Sequence, residues 1–186
     1  VLKPWHFMNP QDARLPAGKL LALFAGLALA ASPHVERLPM WVNGWLALFL
    51  ALRVWIAVSA RALPHRAWLI VLAIGGAIGV FLTFRTIFGR DAGVTLLVLL
   101  MSLKLLELKV MRDIFVVVYL AYFLALTNFF YSQTMPTALL MFVTVLLISA
   151  SLVSFNDTTR RLRDCLRTAG VLLLQASPVM LLLFFL

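Results

Sequence analysis

Apolar residues run through this chain in long unbroken stretches, separated by short polar segments that carry nearly all of its charge. Seven stretches can be read, at residues 15–31, 41–60, 67–84, 92–108, 114–131, 137–155 and 169–186. Each is close to the length that crosses a hydrocarbon core at about 1.5 Å of rise per residue. They lack the apolar–polar alternation of a membrane strand, so helices are expected throughout. The pattern predicts an all-α fold, a polytopic transmembrane bundle of about six to seven helices, forming one domain over residues 1–186.

Composition agrees with this reading. Of 186 residues, 63% are hydrophobic and 12% charged, with a mean hydropathy of +1.03. A water-soluble chain is nearer half apolar and a quarter charged, and a fold of this length in water has no means of covering so much apolar surface. A formal charge of +9 raises the question of nucleic acid. The cations, however, sit in short clusters between apolar runs and form no continuous basic face, so a nucleic-acid partner is not expected. They follow the cytoplasmic-loop bias of membrane proteins instead. With the N-terminus inside, twelve of the sixteen Lys and Arg fall on the cytoplasmic side; Arg37, Arg85 and Arg90 fall outside, and Arg53 lies within the second run. Trp5 and Trp68 then stand near inner edges, Trp41 and Tyr131 near outer ones.

The first run also has features of a secretory signal, with Lys19 ahead of it and Ala28-Leu29-Ala30 as a cleavage-like site. Gly18, Ala22, Gly26 and Ala30 recur every four residues along it, a small-residue stripe that suits close helix packing, and a retained helix is expected. Gly75 and Gly79 make a similar G-x-x-x-G in the third run. In the seventh, Pro178 removes a hydrogen bond to the carbonyl of Leu174, and Gln175 is placed to compensate. That run stops at Leu186 without a polar tail, which implies that the native polypeptide continues.

Ionisable groups at membrane depth are costly and draw attention as functional candidates. Arg53 is expected to snorkel toward the inner interface. Lys104 and Glu107, three apart, share a helix face and can pair. A proton relay through them would need ionisable partners on neighbouring helices, and the fifth run offers only Tyr119, Tyr122 and Asn128. Asp91 fits the N-cap or first turn of the fourth helix, whereas Arg85 and Arg90 stand on the side that disfavours cations and point to a contact with head groups or an extracytoplasmic domain. The basic stretch 159–167 reads as a surface helix on anionic lipid. One cysteine, Cys165, excludes an internal disulfide framework and a cysteine-based zinc site. His6, His34 and His65 fall in different loops, and no hydrolase or nucleotide motif occurs. No catalytic, metal or cofactor site is therefore expected in this chain.

Four polar-bearing stretches carry a resemblance. They are residues 84–93, with Arg85, Gly89, Arg90 and Asp91; residues 103–109, with Lys104 and Glu107, followed by Arg112 and Asp113; residues 122–133, with Tyr122, Asn128 and Gln133; and residues 173–178, with Gln175 and Pro178. In this order they resemble the N-terminal membrane domain of bacterial TgpA-type transglutaminase-like membrane proteins. The resemblance implies an anchor or scaffold domain in the bacterial inner membrane, holding and docking a downstream periplasmic Cys/His/Asp domain that belongs to the same polypeptide. It implies no catalytic residue within these 186 positions. The alternative is an independent small transporter or channel using Arg53, Lys104 and Glu107.

Overall fold

The computed structural model describes residues 17–59, 65–86, 88–156 and 161–185. Trp5, His6, residues 159–160 and Leu186 therefore lie outside the described residues. Seven α-helices occur among them: α1 (Ala17–Ala31), α2 (Met40–Ser59), α3 (Arg66–Phe84), α4 (Arg90–Glu107), α5 (Met111–Asn128), α6 (Met135–Asn156) and α7 (Leu162–Phe185). A 3-10 turn, Ser32–His34, follows α1, and no strand is present among the described residues. Helices α2, α3, α5 and α6 are long and apolar enough to cross a membrane, and α1 forms a shorter apolar helix with the turn after it.

Contacts between helix ends fix the up-and-down order. The start of α1 meets the end of α6, where Lys19 Nζ donates to the Ser154 carbonyl. The ends of α2 and α4 meet through Arg53, and the start of α4 meets the segment after α5 through Asp91 and Tyr131. Odd-numbered helices thus run opposite to even-numbered ones. Lys19, Lys104, Lys109, Arg112, Arg163 and Arg167 gather at one end, here the basic end. Arg37, Arg85 and Arg90 lie at the other, the turn end.

The core is centred on α4, which packs against α2, α3 and α5, while α1 lies against α6 and α5. Leu23 and Leu27 of α1, Val98 and Met101 of α4, and Val117 and Leu124 of α5 are fully buried in one cluster. Helix α1 is thus a full constituent of the core. Helix α7 packs mainly on α6, where Cys165 is buried against Ala150 and Ala169. Many large apolar side chains remain exposed, Trp68, Val71, Ile74, Ile78 and Leu82 of α3 among them. On a soluble protein such a continuous patch would drive association; in a bilayer it is the lipid-facing surface.

Two expectations are corrected. The basic stretch is helical and mostly exposed from Leu162 onward, as expected, but it is continuous with the last apolar run and forms the first turns of α7. The chain gains nothing by breaking there, because Asp164 accepts a hydrogen bond from Thr168 through its carbonyl and the helix simply continues. The second correction concerns the glycines of α3. A Cβ at Gly75 would meet nothing within 4 Å, whereas one at Gly79 would stand 3.0 Å from the Trp41 ring and one at Gly76 3.4 Å from Leu99. The packing glycines are therefore Gly76 and Gly79, and Gly75 faces outward. In α1, Gly26 does serve close approach, with Ile148 of α6 at 3.0 Å from the position of an added Cβ. Gly26→Val and Gly79→Val should each lower stability by about 1–3 kcal/mol through overpacking, while Gly75→Ala should be neutral or stabilising. Thermal unfolding in detergent micelles measures all three, and equal losses at positions 75 and 79 would contradict this assignment.

Candidate functional site

Helix α4 ends inside the protein. At this end the helix itself supplies only a long bond, from the Leu108 N–H to the Leu105 carbonyl at 3.5 Å, and Leu105 and Leu108 are both fully buried. Arg53, itself only 5% exposed, supplies the missing donors: Nε donates to the Leu105 carbonyl at 3.0 Å and Nη2 to the Leu108 carbonyl at 3.1 Å. A cation is also favoured at this negative end of the helix dipole. Arg53 thus reaches toward the basic end, as the snorkelling reading expected of its direction, but its guanidinium is buried on the end of α4.

Beside this cap the chain turns through residues 108–110 into α5. Lys104 Nζ donates to Glu107 Oε2 at 2.6 Å and lies 3.5 Å from Asp113 Oδ1. The other Asp113 oxygen accepts the backbone N–H groups of Lys109 at 3.2 Å and Val110 at 3.4 Å. This is the carboxylate half of a capping box, formed by an acidic residue in the first turn of α5. Asp113 is the member that a reading of single runs missed, since it precedes the apolar part of α5; its place three residues after a loop residue was the available signal. A cleft of about 240 Å³ opens here, lined by Lys104, Lys109 and Arg112, by Glu107 and Asp113, and by Leu69, Leu106 and Val110.

This cluster stays at the basic end. Deeper in the bundle, Ser102 donates to Leu99, Thr144 to Leu140 and Ser151 to Leu147, each within its own helix. Tyr122 and Ser149 share one hydrogen bond of 2.8 Å between α5 and α6. These bonds satisfy the hydroxyls locally and make no polar chain from one end to the other.

A second cluster forms at the turn end around Tyr131, which lies beyond the end of α5. Its hydroxyl donates to Asp91 Oδ1 at 2.7 Å. The guanidinium groups of Arg90 and Arg37 lie over its ring, 4.3 and 4.7 Å from the centroid. His34 meets the ring edge-on, with centroids 5.9 Å apart, and shares a hydrogen bond of 3.2 Å with the Leu124 carbonyl. Arg90 also donates to the Phe130 carbonyl at 3.1 Å and lies 3.5 Å from Asp91. Arg90 is therefore drawn into the fold, and Asp91 occupies the first turn of α4 with Gly89 as N-cap. Gly89 has φ of 143°, a conformation open to glycine and hard for other residues. Burial, then the hydrogen bond to Asp91 and its negative charge, push the Tyr131 phenol up to about 12.

The remaining candidates are dispersed. Arg85 is exposed and caps α3 in the left-handed conformation, φ 55°. Asn128 is fully buried on α5, and neither polar atom of its side chain has a hydrogen-bond partner among the described residues. Gln175 is exposed on α7, which continues through Pro178. No group of three or more His, Cys, Asp or Glu stands close enough to hold a metal ion among the described residues.

Comparison with known proteins adds the following. Residues 22–186 match the family described as the TgpA N-terminal domain. A protein-glutamine gamma-glutamyltransferase of Pseudomonas aeruginosa is 34% identical over 175 residues, which cover 91% of this chain and 26% of that protein. The chain thus spans about a quarter of the length of the relative it matches. No solved structure matches.

Two outcomes follow from the geometry. Arg53→Met keeps the stem but leaves the buried Leu108 carbonyl unmet, at about 1–3 kcal/mol, and the Leu105 carbonyl with only the long bond from the Leu108 N–H. Arg53→Lys should recover less than half of that loss, because one ammonium cannot reproduce the guanidinium fork; full recovery in denaturation curves would refute the capping role. The folded state holds the Tyr131 proton more tightly than an unfolded tyrosine near 10, so this contribution is intact below about pH 10 and is lost as pH rises through 12. In the ultraviolet difference between the native protein and Tyr131→Phe, one phenolate should appear near pH 12, and its appearance near pH 10 would contradict the Asp91 contact.

Proposed function

Because the chain belongs to the TgpA N-terminal domain family, we propose that it is the membrane-anchoring and scaffold part of a transglutaminase-like protein. Its helices hold a downstream Cys/His/Asp domain at the outer face of a bacterial inner membrane. The observation that carries this reading is the quarter-length match to a protein-glutamine gamma-glutamyltransferase: most of the relative lies outside the aligned part, and the two clusters described above contain no nucleophile–base pair. The topology follows the charges. The basic end, with Lys109, Arg112, Arg163 and Arg167, faces the cytoplasm, and the turn end faces the periplasm.

The docking surface is then the turn end. Arg85, Phe88 and Met135 stand there fully in the open, Phe88 at 91% and Met135 at 87% exposure. Arg85 adopts a left-handed backbone that costs a non-glycine residue about 1–2 kcal/mol. That backbone is the cap of α3, with the Arg85 N–H on the Phe81 carbonyl at 2.8 Å, and it presents an exposed guanidinium to a partner outside the bundle.

This separates docking from folding experimentally. Arg85→Gly should leave the bundle as stable or slightly more stable, since glycine relieves the strain, while lowering the acyl-transfer activity of the full-length protein severalfold. Arg90→Ala should lower both, because Arg90 holds Tyr131. Unchanged activity in Arg85→Gly would remove the docking surface. Reporter fusions after Ser132 and after Lys109 should read outside and inside respectively, and the reverse pattern would invert the topology.

A further inference from the structure

The cleft between α3, α4 and α5 at the basic end is built in two halves. One half is apolar, from Leu69, Leu106 and Val110; the other is charged. Its carboxylates are occupied within the fold, Glu107 by Lys104 and Asp113 by Lys104 and two backbone N–H groups. Lys109 and Arg112 differ: both are exposed, and neither has an ion-pair partner among the described residues. With Lys104 they give the cleft three cations against two carboxylates, one positive charge in excess. Trp68, next to Leu69 and 68% exposed, marks the height at which tryptophans sit between acyl chains and water.

We infer that this cleft binds the phosphate of an anionic lipid head group, with Lys109 and Arg112 on the phosphate and the first acyl carbons against Leu69, Leu106 and Val110. A phosphate oxygen pair suits the guanidinium fork of Arg112, and the ammonium of Lys109 adds a mobile point charge. Basic pockets between membrane helices recognise head groups in this way. Free phosphate shares the charged half of this chemistry, but it leaves the apolar half without a role, and the lipid is therefore the assigned occupant. Asp113 and Lys104 act as the rigid wall: by engaging each other they keep the carboxylate from repelling the ligand.

The test uses the intact polypeptide purified in a neutral detergent. Phosphatidylglycerol, phosphatidylethanolamine and inorganic phosphate are added in turn, and bound lipid is counted by native mass spectrometry. Phosphatidylglycerol should be retained in preference to phosphatidylethanolamine. The double variant Lys109→Ala/Arg112→Ala should weaken it by roughly thirtyfold, about fivefold for each cation removed. Lys109→Arg/Arg112→Lys, which keeps both charges, should stay within a few-fold of the native protein. Arg163→Ala/Arg167→Ala, on α7 at the same end, should change retention little. Equal retention by the native protein and the alanine double variant would overturn the site. So would equal retention of both lipids. Displacement of phosphatidylglycerol by inorganic phosphate would assign the cleft to a free anion and overturn the lipid assignment.

Discussion

Helix α4 is the most enclosed of the helices, and its C-terminal end opens into protein instead of water. A buried helix end with unmet carbonyls is not tolerated in a low-dielectric interior, and the long bond from the Leu108 N–H to the Leu105 carbonyl leaves the Leu108 carbonyl in need of a donor from elsewhere. Arg53 supplies it from α2 and meets both carbonyls with two nitrogen atoms. Much of the basic end follows from that choice. With the carbonyls of α4 engaged by α2, the chain can turn at once into α5, and Lys104 is left to bind the carboxylates on either side of the turn, Glu107 and Asp113. A charge deep in a membrane helix is here a structural donor, and its cost is offset by two charge-assisted hydrogen bonds.

The turn end meets the same constraint by a different route. Tyr131 lies beyond α5 and collects contacts from three segments: Arg37 and His34 after α1, Arg90 and Asp91 at the start of α4, and its own loop. Each contact is modest by itself. An exposed ion pair such as Arg90–Asp91 contributes at most about 1 kcal/mol, and a cation over a ring at an exposed site contributes about 0.5–1 kcal/mol. Their convergence on one ring ties the starts and ends of helices together without a buried charge. It also engages Arg90 within the fold while leaving its side chain 55% exposed, beside the open Arg85 and Phe88.

Between the ends, the bundle relies on shape. Gly26 admits Ile148, Gly79 admits the Trp41 ring, and Gly76 admits Leu99. In lipid there is no gain from merely burying apolar side chains, so close approach at small residues does much of the packing work. The hydroxyls of Ser102, Thr144 and Ser151 return to carbonyls of their own helices, which lets a polar residue sit in the interior without demanding a partner elsewhere. The apolar residues of α3 left on the outside are the counterpart of this arrangement, since lipid accepts them as readily as protein does.

The sequence by itself determined that the chain is helical and membrane-embedded, because continuous apolar runs admit no other way of satisfying the backbone in a hydrocarbon layer. It also determined the Lys104–Glu107 pair, which depends only on a spacing of three along one helix, and its spaced polar residues already carried the family resemblance. Only the tertiary structure decided the fate of Arg53, since the open end of α4 lies 52 residues away from it in the chain. The same holds for Asp113 joining Lys104, for Tyr131 gathering Arg37 and Arg90, and for Gly76 rather than Gly75 being the packing glycine. Periodicity along one helix states which residues share a face; it does not state which neighbour that face meets. That information resides in the crossing of separate helices, where distances are set by packing and not by the chain.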